Sequence, residues 1–404
     1  MTLSTPSAAV RRQLALLTFG RFVLTTGARM VYPFLPALAR GLHVSLTDMA
    51  NLLALRALIG IPASGLGTLS ERFGRKPLIL AALLLFAAGN LLVLVSPTYW
   101  ALGVTLCLGL LAKLTYDPVM HAYVSDRVPY TWRGRALALT ETSWAGALLV
   151  GIPLIGFAIS RYGWTAPFGA LAALSALAAV GIGALLPGGR GQRAHESSWR
   201  RNLTLLRHYP QVWAAAGYAL ALMISSEMFF VAYGAWLESR FQLSLSSLGL
   251  ASAVIGGAEL IGEVGAGWVS DALGKRRTTL LTALSAAVGY AAIPYLDRSV
   301  GVALLGMFCL FLSAEMAFVS LLPIFTELIP QARTVALAAL ALALGVGRAT
   351  GAWLAPILLA RQGFSGNGWV SAGVVVAGVL VLWRWVPELG GVSAESHPPS
   401  PHQP

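Results

Sequence analysis

The sequence has little charge and almost no cysteine. Charged residues make up 11% of its 404 residues, whereas soluble domains carry about 25%. Hydrophobic residues make up 57%, which is more than a soluble core could bury, so most of that surface must face lipid. The two cysteines, Cys107 and Cys309, both lie in apolar runs. They predict neither a disulfide framework nor a metal site, and we expect no cofactor.

Motifs for enzyme or ATP chemistry are also missing. The chain lacks the G-x-x-x-x-G-K-[ST] loop that holds nucleotide phosphates, and it shows no nucleophile–base or metal-ligand spacing. We therefore predict that the protein is not an enzyme. A membrane protein without ATP chemistry must draw its energy from an ion gradient, and a proton gradient is the expected source.

Twelve apolar segments, most of them near or above the ~20 residues that a membrane-spanning helix needs, account for most of the chain. They predict an all-α membrane protein with helices at 14–40, 46–70, 77–95, 99–125, 136–160, 165–186, 211–238, 247–271, 278–296, 300–326, 334–361 and 367–387. The polar segment 187–210 predicts a cytoplasmic linker between an N-terminal six-helix bundle (1–186) and a C-terminal one (211–391). The proline-rich segment 392–404 predicts a disordered tail.

The basic residues are distributed unevenly between the two sides of this predicted topology. The outer loops hold few of them, namely Arg40, Arg161, Arg240, Arg298 and Arg361. By the positive-inside rule, both termini are then cytoplasmic. The formal charge of +12 reflects this topology, and we expect no binding of nucleic acid. We expect an integral protein of a bacterial inner (plasma) membrane, surrounded by lipid bilayer and acting as a monomer.

The two halves of the chain resemble each other. The stretch "GTLSERFGRK" at 67–76 is answered about 200 residues later by "GWVSDALGKRR", which begins at Gly267. Similar pairs begin at Tyr32 and Tyr233 and at Ser125 and Thr326. Because each half has an even number of helices, both halves enter the membrane from the same side. This arrangement predicts a small-molecule substrate held between the halves near the bilayer midplane.

The repeated loop resembles the signature loop of the major facilitator superfamily, which has glycine, acid, glycine and two basic residues in this order. The resemblance implies a twelve-helix transporter that works by alternating access. The whole chain looks most like the drug–proton antiporter branch. In the fifth helix, Gly146, Gly151, Pro153 and Gly156 are similar to the glycine–proline stretch of exporters in this superfamily, although Ile152 separates the second glycine from the proline.

The loop residues are predicted to gate the protein or to anchor it. The acid would form an ion pair that exists in one state only, or the basic residues would merely set the topology and contact headgroups. In the first copy, glutamate replaces the usual aspartate. The residues of this motif are Gly67, Glu71, Arg72, Gly74, Arg75, Lys76, Gly267, Asp271, Gly274, Lys275 and Arg276.

Ten ionisable residues lie far from both predicted surfaces. Each charge in lipid costs at least ~2.5 kcal/mol on insertion scales, so such residues are candidates for substrate binding or proton coupling. They are Arg29, Arg56, Lys113, Asp117, Glu141, Glu227, Glu259, Glu263, Glu315 and Arg348. They fall on helices one, two, four, five, seven, eight, ten and eleven, so helices three, six, nine and twelve are expected to face lipid.

Two spacings within this set are informative. Lys113, Asp117 and His121 share one face of the fourth helix, which predicts either a proton relay or a structural ion pair. Glu259 and Glu263 are one turn apart on the eighth helix. Two carboxylates so close do not both ionise easily, so either one binds a proton near neutral pH, or Arg348 or a substrate cation neutralises it.

Aromatic residues among these charges are further candidates for substrate contact, namely Tyr32, Tyr116, Trp144, Phe229, Phe230, Tyr233 and Trp236. The function predicted by all these features is proton-coupled export of small amphipathic molecules. An alternative is a proton-linked carrier for an anionic metabolite or a lipid-like acid, because Arg29, Arg56 and Lys113 cluster in one half. A transporter-like scaffold that carries nothing is a third hypothesis.

Overall fold

The computed structural model describes residues 7–63, 73–188, 209–329 and 333–387, which form helices joined by short turns and contain no strand. The first half contains α1 (Ala8–Arg29 with Val31–Leu42), α2 (Leu46–Ala63), α3 (Arg75–Val95), α4 (Tyr99–Arg127), α5 (Tyr130–Gly146 with Ile152–Tyr162) and α6 (Ala166–Leu185). The second half contains α7 (Pro210–Phe241), α8 (Leu245–Leu273), α9 (Lys275–Ala292), α10 (Val300–Leu328), α11 (333–362) and α12 (364–385).

These helices confirm the prediction of twelve spans. Nine helical stretches of the described residues are long and apolar enough to cross a membrane, and the bent α1 makes a tenth. One of the nine, Val335–Trp385, is broken at Gly363 and therefore holds both α11 and α12. The described part of α2 supplies the remaining span. Most of the linker predicted at 187–210, and the tail predicted at 392–404, lie outside the described residues.

Two helices are interrupted where proline removes a backbone donor. The two parts of α1 meet at 55°, because Pro33 has no N–H to bond the carbonyl of Arg29. In α5, a π-helical turn spans Ala147–Gly151 directly before Pro153. A proline inside a helix bends or interrupts it, and the π turn is the form that the interruption takes here. Both breaks lie beside the interface between the halves.

We call the end of the bundle that contains Ala8 and Trp385 the terminus face, and the end that contains Leu42 and Phe241 the opposite face. Exposed apolar side chains cover the outer surfaces of the helices predicted to face lipid, as Leu84 of α3, Leu177 of α6 and Leu380 of α12 show. This also holds for α9, where Leu281 and Val288 are exposed, although Tyr290 of the same helix is buried and lines the cavity between the halves.

The halves pack closely toward the opposite face. A Cβ atom added to Gly156 of α5 would lie 2.6 Å from the backbone oxygen of Leu245, and one added to Gly234 of α7 would lie 2.5 Å from that of Pro33. Arg40 and Glu238 form a two-pronged ion pair across the same seam, with the Nη2–Oε1 distance at 2.6 Å. The opposite face is therefore closed in this conformation.

Candidate functional site: a charged cavity between the halves

A cavity of about 420 Å³ lies between the two halves, large enough for a drug-sized molecule. Helices α1, α2, α4 and α5 line it from one half and α7 to α11 from the other. Its ionisable side chains are Arg29, Arg56, Lys113, Asp117, Glu227, Glu259, Glu315 and Arg348. Four cations thus face four carboxylates, and the formal charge of the wall is zero.

The rest of the wall is mostly apolar and aromatic. Phe230, Phe311, Phe318 and Tyr290 contribute rings, and leucines from several helices fill the space between them. The rings of Phe230 and Phe311 are in contact, with centroids 5.0 Å apart. A cavity with rings and paired charges suits an amphipathic ligand better than a fully hydrated one.

An ionic network in the first half contains Arg21, which the sequence analysis did not single out. The buried guanidinium of Arg21 lies 2.7 Å from Glu141 and 3.3 Å from Asp117, and it donates to the backbone oxygen of Thr140. Lys113 of α4 approaches Asp117 from the other side, at 2.8 Å. Arg21 therefore joins α1, α4 and α5 through two carboxylates.

The predicted face of Lys113, Asp117 and His121 is only partly connected. Lys113 binds Asp117, but Nε2 of His121 lies 3.0 Å from Glu141. Both His121 and Glu141 are more than one third exposed. His121 is therefore linked to Asp117 electrostatically, through Glu141 and the charge of Arg21, and not directly along α4.

An ion pair crosses the interface near the middle of the cavity. Arg29 of α1 binds Glu259 of α8 at 3.0 Å, and the indole of Trp144 donates to the other oxygen of the same carboxylate, also at 3.0 Å. The guanidinium of Arg29 lies 4.0 Å from the ring centre of Trp144. This arrangement corrects the expectation that Arg348 neutralises one of the two glutamates of α8, because the cation paired with Glu259 is Arg29.

Glu263 lies one turn beyond Glu259 but does not line the cavity. Its side chain is exposed, and the charges of Glu141 and Arg21 act on it from the first half. The antiparallel register of α5 and α8 explains this, since Leu148 packs on Gly256 and Trp144 bonds Glu259. Continuing that register brings Glu263 opposite Glu141.

A second cross-interface bond lies deeper toward the opposite face. The hydroxyl of Tyr32 donates to Glu227 of α7 at 2.8 Å. The charges of Arg348 and Arg56 also act on this buried carboxylate. Arg56 donates to the backbone oxygen of Ala28 at 3.3 Å.

Four of the aromatic residues predicted to contact substrate do not line the cavity. The hydroxyl of Tyr116 donates to the backbone oxygen of Leu17, and that of Tyr233 bonds Ser252, both inside the core of a single half. Both rings are fully buried in helix packing, so they do not reach the cavity. Phe229 and Trp236 likewise stack on other rings within the second half.

In each copy of the repeated loop, the basic residues bind partners that belong to the same half of the protein. Arg75 pairs with Asp126 at 2.6 Å, and Lys275 pairs with Glu327 at the corresponding place. The next basic residue of each copy donates to a backbone oxygen near the end of the last helix, Lys76 to Gly183 at 2.7 Å and Arg276 to Trp383 at 2.6 Å. Each loop therefore fixes three helices of its own half at the terminus face.

The backbone conformation of the loop requires two of its glycines. The acid of the second copy, by contrast, does not form the ion pair that was expected. Gly74 and Gly274 both have φ of 86°, a conformation that L side chains rarely adopt. Asp271 is exposed and forms no ion pair with any described residue. Gly67, Glu71 and Arg72 lie outside the described residues, and Gly267 lies in α8 with open space beside it. Among the described residues, the acid of the second copy thus has no partner with which to form a latch in this conformation.

Twelve helices in two related bundles, with a charged cavity between them, define a membrane transporter of the class that holds its substrate between halves. The chain belongs to the Major Facilitator Superfamily, whose family model matches residues 17–334 and residues 215–401. This membership confirms the predicted family and fold, and members of the family are transporters and not enzymes, as predicted.

Similar proteins include two bacterial relatives and a solved structure. An uncharacterized MFS-type transporter of Bacillus subtilis, YceJ, is 23% identical over 77% of this chain and 80% of its own length. The class C tetracycline resistance protein of Escherichia coli is 27% identical over 67% of this chain and 71% of its own length. A bacterial homologue of the human lysosomal transporter Spinster superposes with a TM-score of 0.77 at 13% identity, over 94% of this chain and 97% of that one.

Proposed function

We propose that the protein exports small amphipathic molecules in exchange for protons, by alternating access, with both termini in the cytoplasm. The observation that carries this proposal is the position of Asp117, which lines the cavity and also shares Arg21 with Glu141. A proton on Asp117 removes the charge that holds Lys113 and Arg21. Cavity and proton site are then parts of one network, so substrate and proton act on each other.

Two further observations support export of an amphipathic molecule. The cavity combines rings with paired charges, and the relatives include a tetracycline resistance protein. The glycines of α5 allow it to cross α8 closely at the opposite face, which agrees with the glycine–proline stretch of exporters. The carboxylates of the network supply the proton sites that coupling needs.

A second candidate is the carrier for an anionic metabolite. The observation that favours it is the pair Arg56 and Arg348, which line the cavity without an ion pair shorter than 4 Å to any described residue. Buried guanidinium groups are suited to carboxylate or phosphate. The two functions differ in the charge class of molecule that moves protons.

Substrate-dependent proton movement in liposomes tests the proposal. Purified protein is reconstituted with a trapped pH dye and an imposed proton gradient, and cationic, neutral and anionic compounds are added in turn. We expect a cationic or amphoteric compound to cause proton movement in the wild type. We expect Asp117→Asn to bind that compound without moving protons, because the amide cannot exchange a proton in this pH range.

The matched control is Asp297→Asn, which removes a partly exposed carboxylate on the opposite face, where Asp297 pairs with Arg240. It is expected to behave as the wild type. Gel filtration and thermal unfolding establish that each variant is folded. Proton movement that is unchanged in Asp117→Asn would contradict the coupling role, and movement with anions alone would favour the carrier.

A further inference from the structure

The cavity distributes its charges in a way that specifies the substrate more closely than "amphipathic". Of its four cations and four carboxylates, two pairs are closed within the wall, namely Lys113 with Asp117 and Arg29 with Glu259. Each is held at 3.0 Å or less. These pairs neutralise themselves and leave Arg56, Arg348, Glu227 and Glu315 to face a ligand.

The side of the cavity formed by α2, α7 and α11 carries an excess of positive charge. The charges of Arg56 and Arg348 both act on Glu227 from beyond ion-pair distance, so two cations on this side of the cavity are balanced by one carboxylate. Tyr32 also donates to Glu227 and uses part of its acceptor capacity. This side, which we call the basic pole, therefore has donors left for an anionic or strongly accepting group.

The side formed by α8 and α10 carries an excess of negative charge. Glu315 of α10 lines the cavity and has no hydrogen bond or ion pair with any described residue. The cation whose charge acts on Glu315, Arg29, is already bound to Glu259 and lies on Trp144. Gly262 of α8 packs against the stem of Glu315, since a Cβ atom there would lie 3.0 Å from that of Glu315. Glu315 forms the acidic pole.

Resting on the proposed function, we infer that the transported molecule is amphoteric, with a cationic group bound by Glu315 and an anionic or strongly accepting group bound by Arg348 and Arg56. The rings of Phe230, Phe311 and Phe318 lie in the wall with the two poles and suit an apolar framework that joins the two groups. A ligand with one charge would satisfy one pole and leave the other uncompensated in a mostly apolar cavity. The two alternatives of cation exporter and anion carrier are thereby combined in one substrate class.

Isothermal titration of the purified protein with three matched probes tests the inference. The probes share a biphenyl framework: 4′-(aminomethyl)biphenyl-4-carboxylate carries both charges, 4-(aminomethyl)biphenyl only the cation, and biphenyl-4-carboxylate only the anion. Because a charge-assisted hydrogen bond is the largest gain available at either pole, we expect the zwitterion to bind about tenfold or more tightly than either analogue.

Two variants assign the poles. Glu315→Gln is expected to lower the affinity for the zwitterion and for the cation about tenfold and to leave the affinity for the anion unchanged. Arg348→Gln is expected to lower the affinity for the zwitterion and for the anion about tenfold and to leave the affinity for the cation unchanged. Asp297→Asn serves as the control outside the cavity. Equal affinity for zwitterion and cation, no binding of the zwitterion, or an unselective loss in either variant would overturn the inference. Since binding is measured without a gradient, such a result is separate from a failure of proton coupling in liposomes.

Discussion

Replacing Arg21 with glutamine is expected to abolish transport and to lower the free energy of unfolding by about 3–5 kcal/mol. The side chain of Arg21 is 7% exposed and is the only group that joins Glu141 to Asp117 among the described residues. Its loss leaves Glu141 with His121 alone, and it leaves the bond from α1 to the backbone of Thr140 unmade. Transport in liposomes and thermal unfolding with and without substrate measure the two effects.

The control for this prediction is Arg21→Lys, which keeps the charge but not the planar fork. A lysine can reach one carboxylate at a time, so we expect a stability closer to that of the wild type and a weakened coupling of proton to substrate. Full transport by Arg21→Gln would show that the network is only a structural support. Recovery of folding without recovery of coupling in Arg21→Lys would instead support its role in proton movement.

Replacing Gly156 with leucine is expected to shift the alternation between faces away from closure of the opposite face and so to slow transport. Any Cβ atom at this position meets the backbone oxygen of Leu245 at 2.6 Å and crowds Gly249, so α5 and α8 must separate. Overpacking of this kind costs about 1–3 kcal/mol, which shifts the equilibrium away from closure of the opposite face by a factor of about 5 to about 150. Because the helix crossing lies between the halves, we expect each half to remain folded.

Labelling with a membrane-impermeant maleimide reports this shift. A cysteine replaces Ala314, which lines the cavity, in a chain without Cys107 and Cys309. Gly156→Leu is expected to increase labelling from the opposite face in sided vesicles and to reduce transport. Gly134→Leu, also on α5 but with open space around it, is the control. Unchanged labelling in Gly156→Leu would show that the crossing does not need to close.

Most of the fold could be predicted from the sequence. The lengths of the apolar segments indicate the membrane spans, and the internal repeat indicates the two halves. The predicted helix 211–238 corresponds to Pro210–Phe241, and 300–326 to Val300–Leu328. The π turn in α5 could not be predicted. Pro153 indicates that the helix is interrupted, but it does not indicate which backbone geometry satisfies the neighbouring carbonyl groups. The bend in α1 had a signal in Pro33 that the length of the apolar run concealed.

The sequence predicted which ionisable residues belong to the site, but it did not predict which of them form ion pairs with each other. Charge in an apolar helix identified Arg29, Lys113 and Glu259, because few other residues justify the insertion penalty. Which carboxylate each cation binds depends on how the halves meet, and a single helix does not contain that information. Thus Glu259 forms its ion pair with Arg29 across the interface, and not with a residue of its own helix.

The sequence analysis missed Arg21 because it placed the start of the first helix too late in the chain. With the first helix placed at 14–40, Arg21 lies close to its predicted inner end, where an arginine is ordinary. The helix begins at Ala8, so Arg21 lies ~20 Å from its start at ~1.5 Å per residue, deep enough to meet Asp117. Tyr290, by contrast, carries no charge and gave no signal.

The central claim is that the bound substrate and a proton on Asp117 act on each other within one charged network of the cavity, and proton release on binding tests it most directly. The purified protein is placed in weakly buffered detergent solution, saturating substrate is added, and the pH change is recorded across the neutral range. The account predicts that the wild type releases protons as it binds, and that Asp117→Asn binds with less or no release. Binding with its full heat but no released proton at any pH in that range would contradict the account.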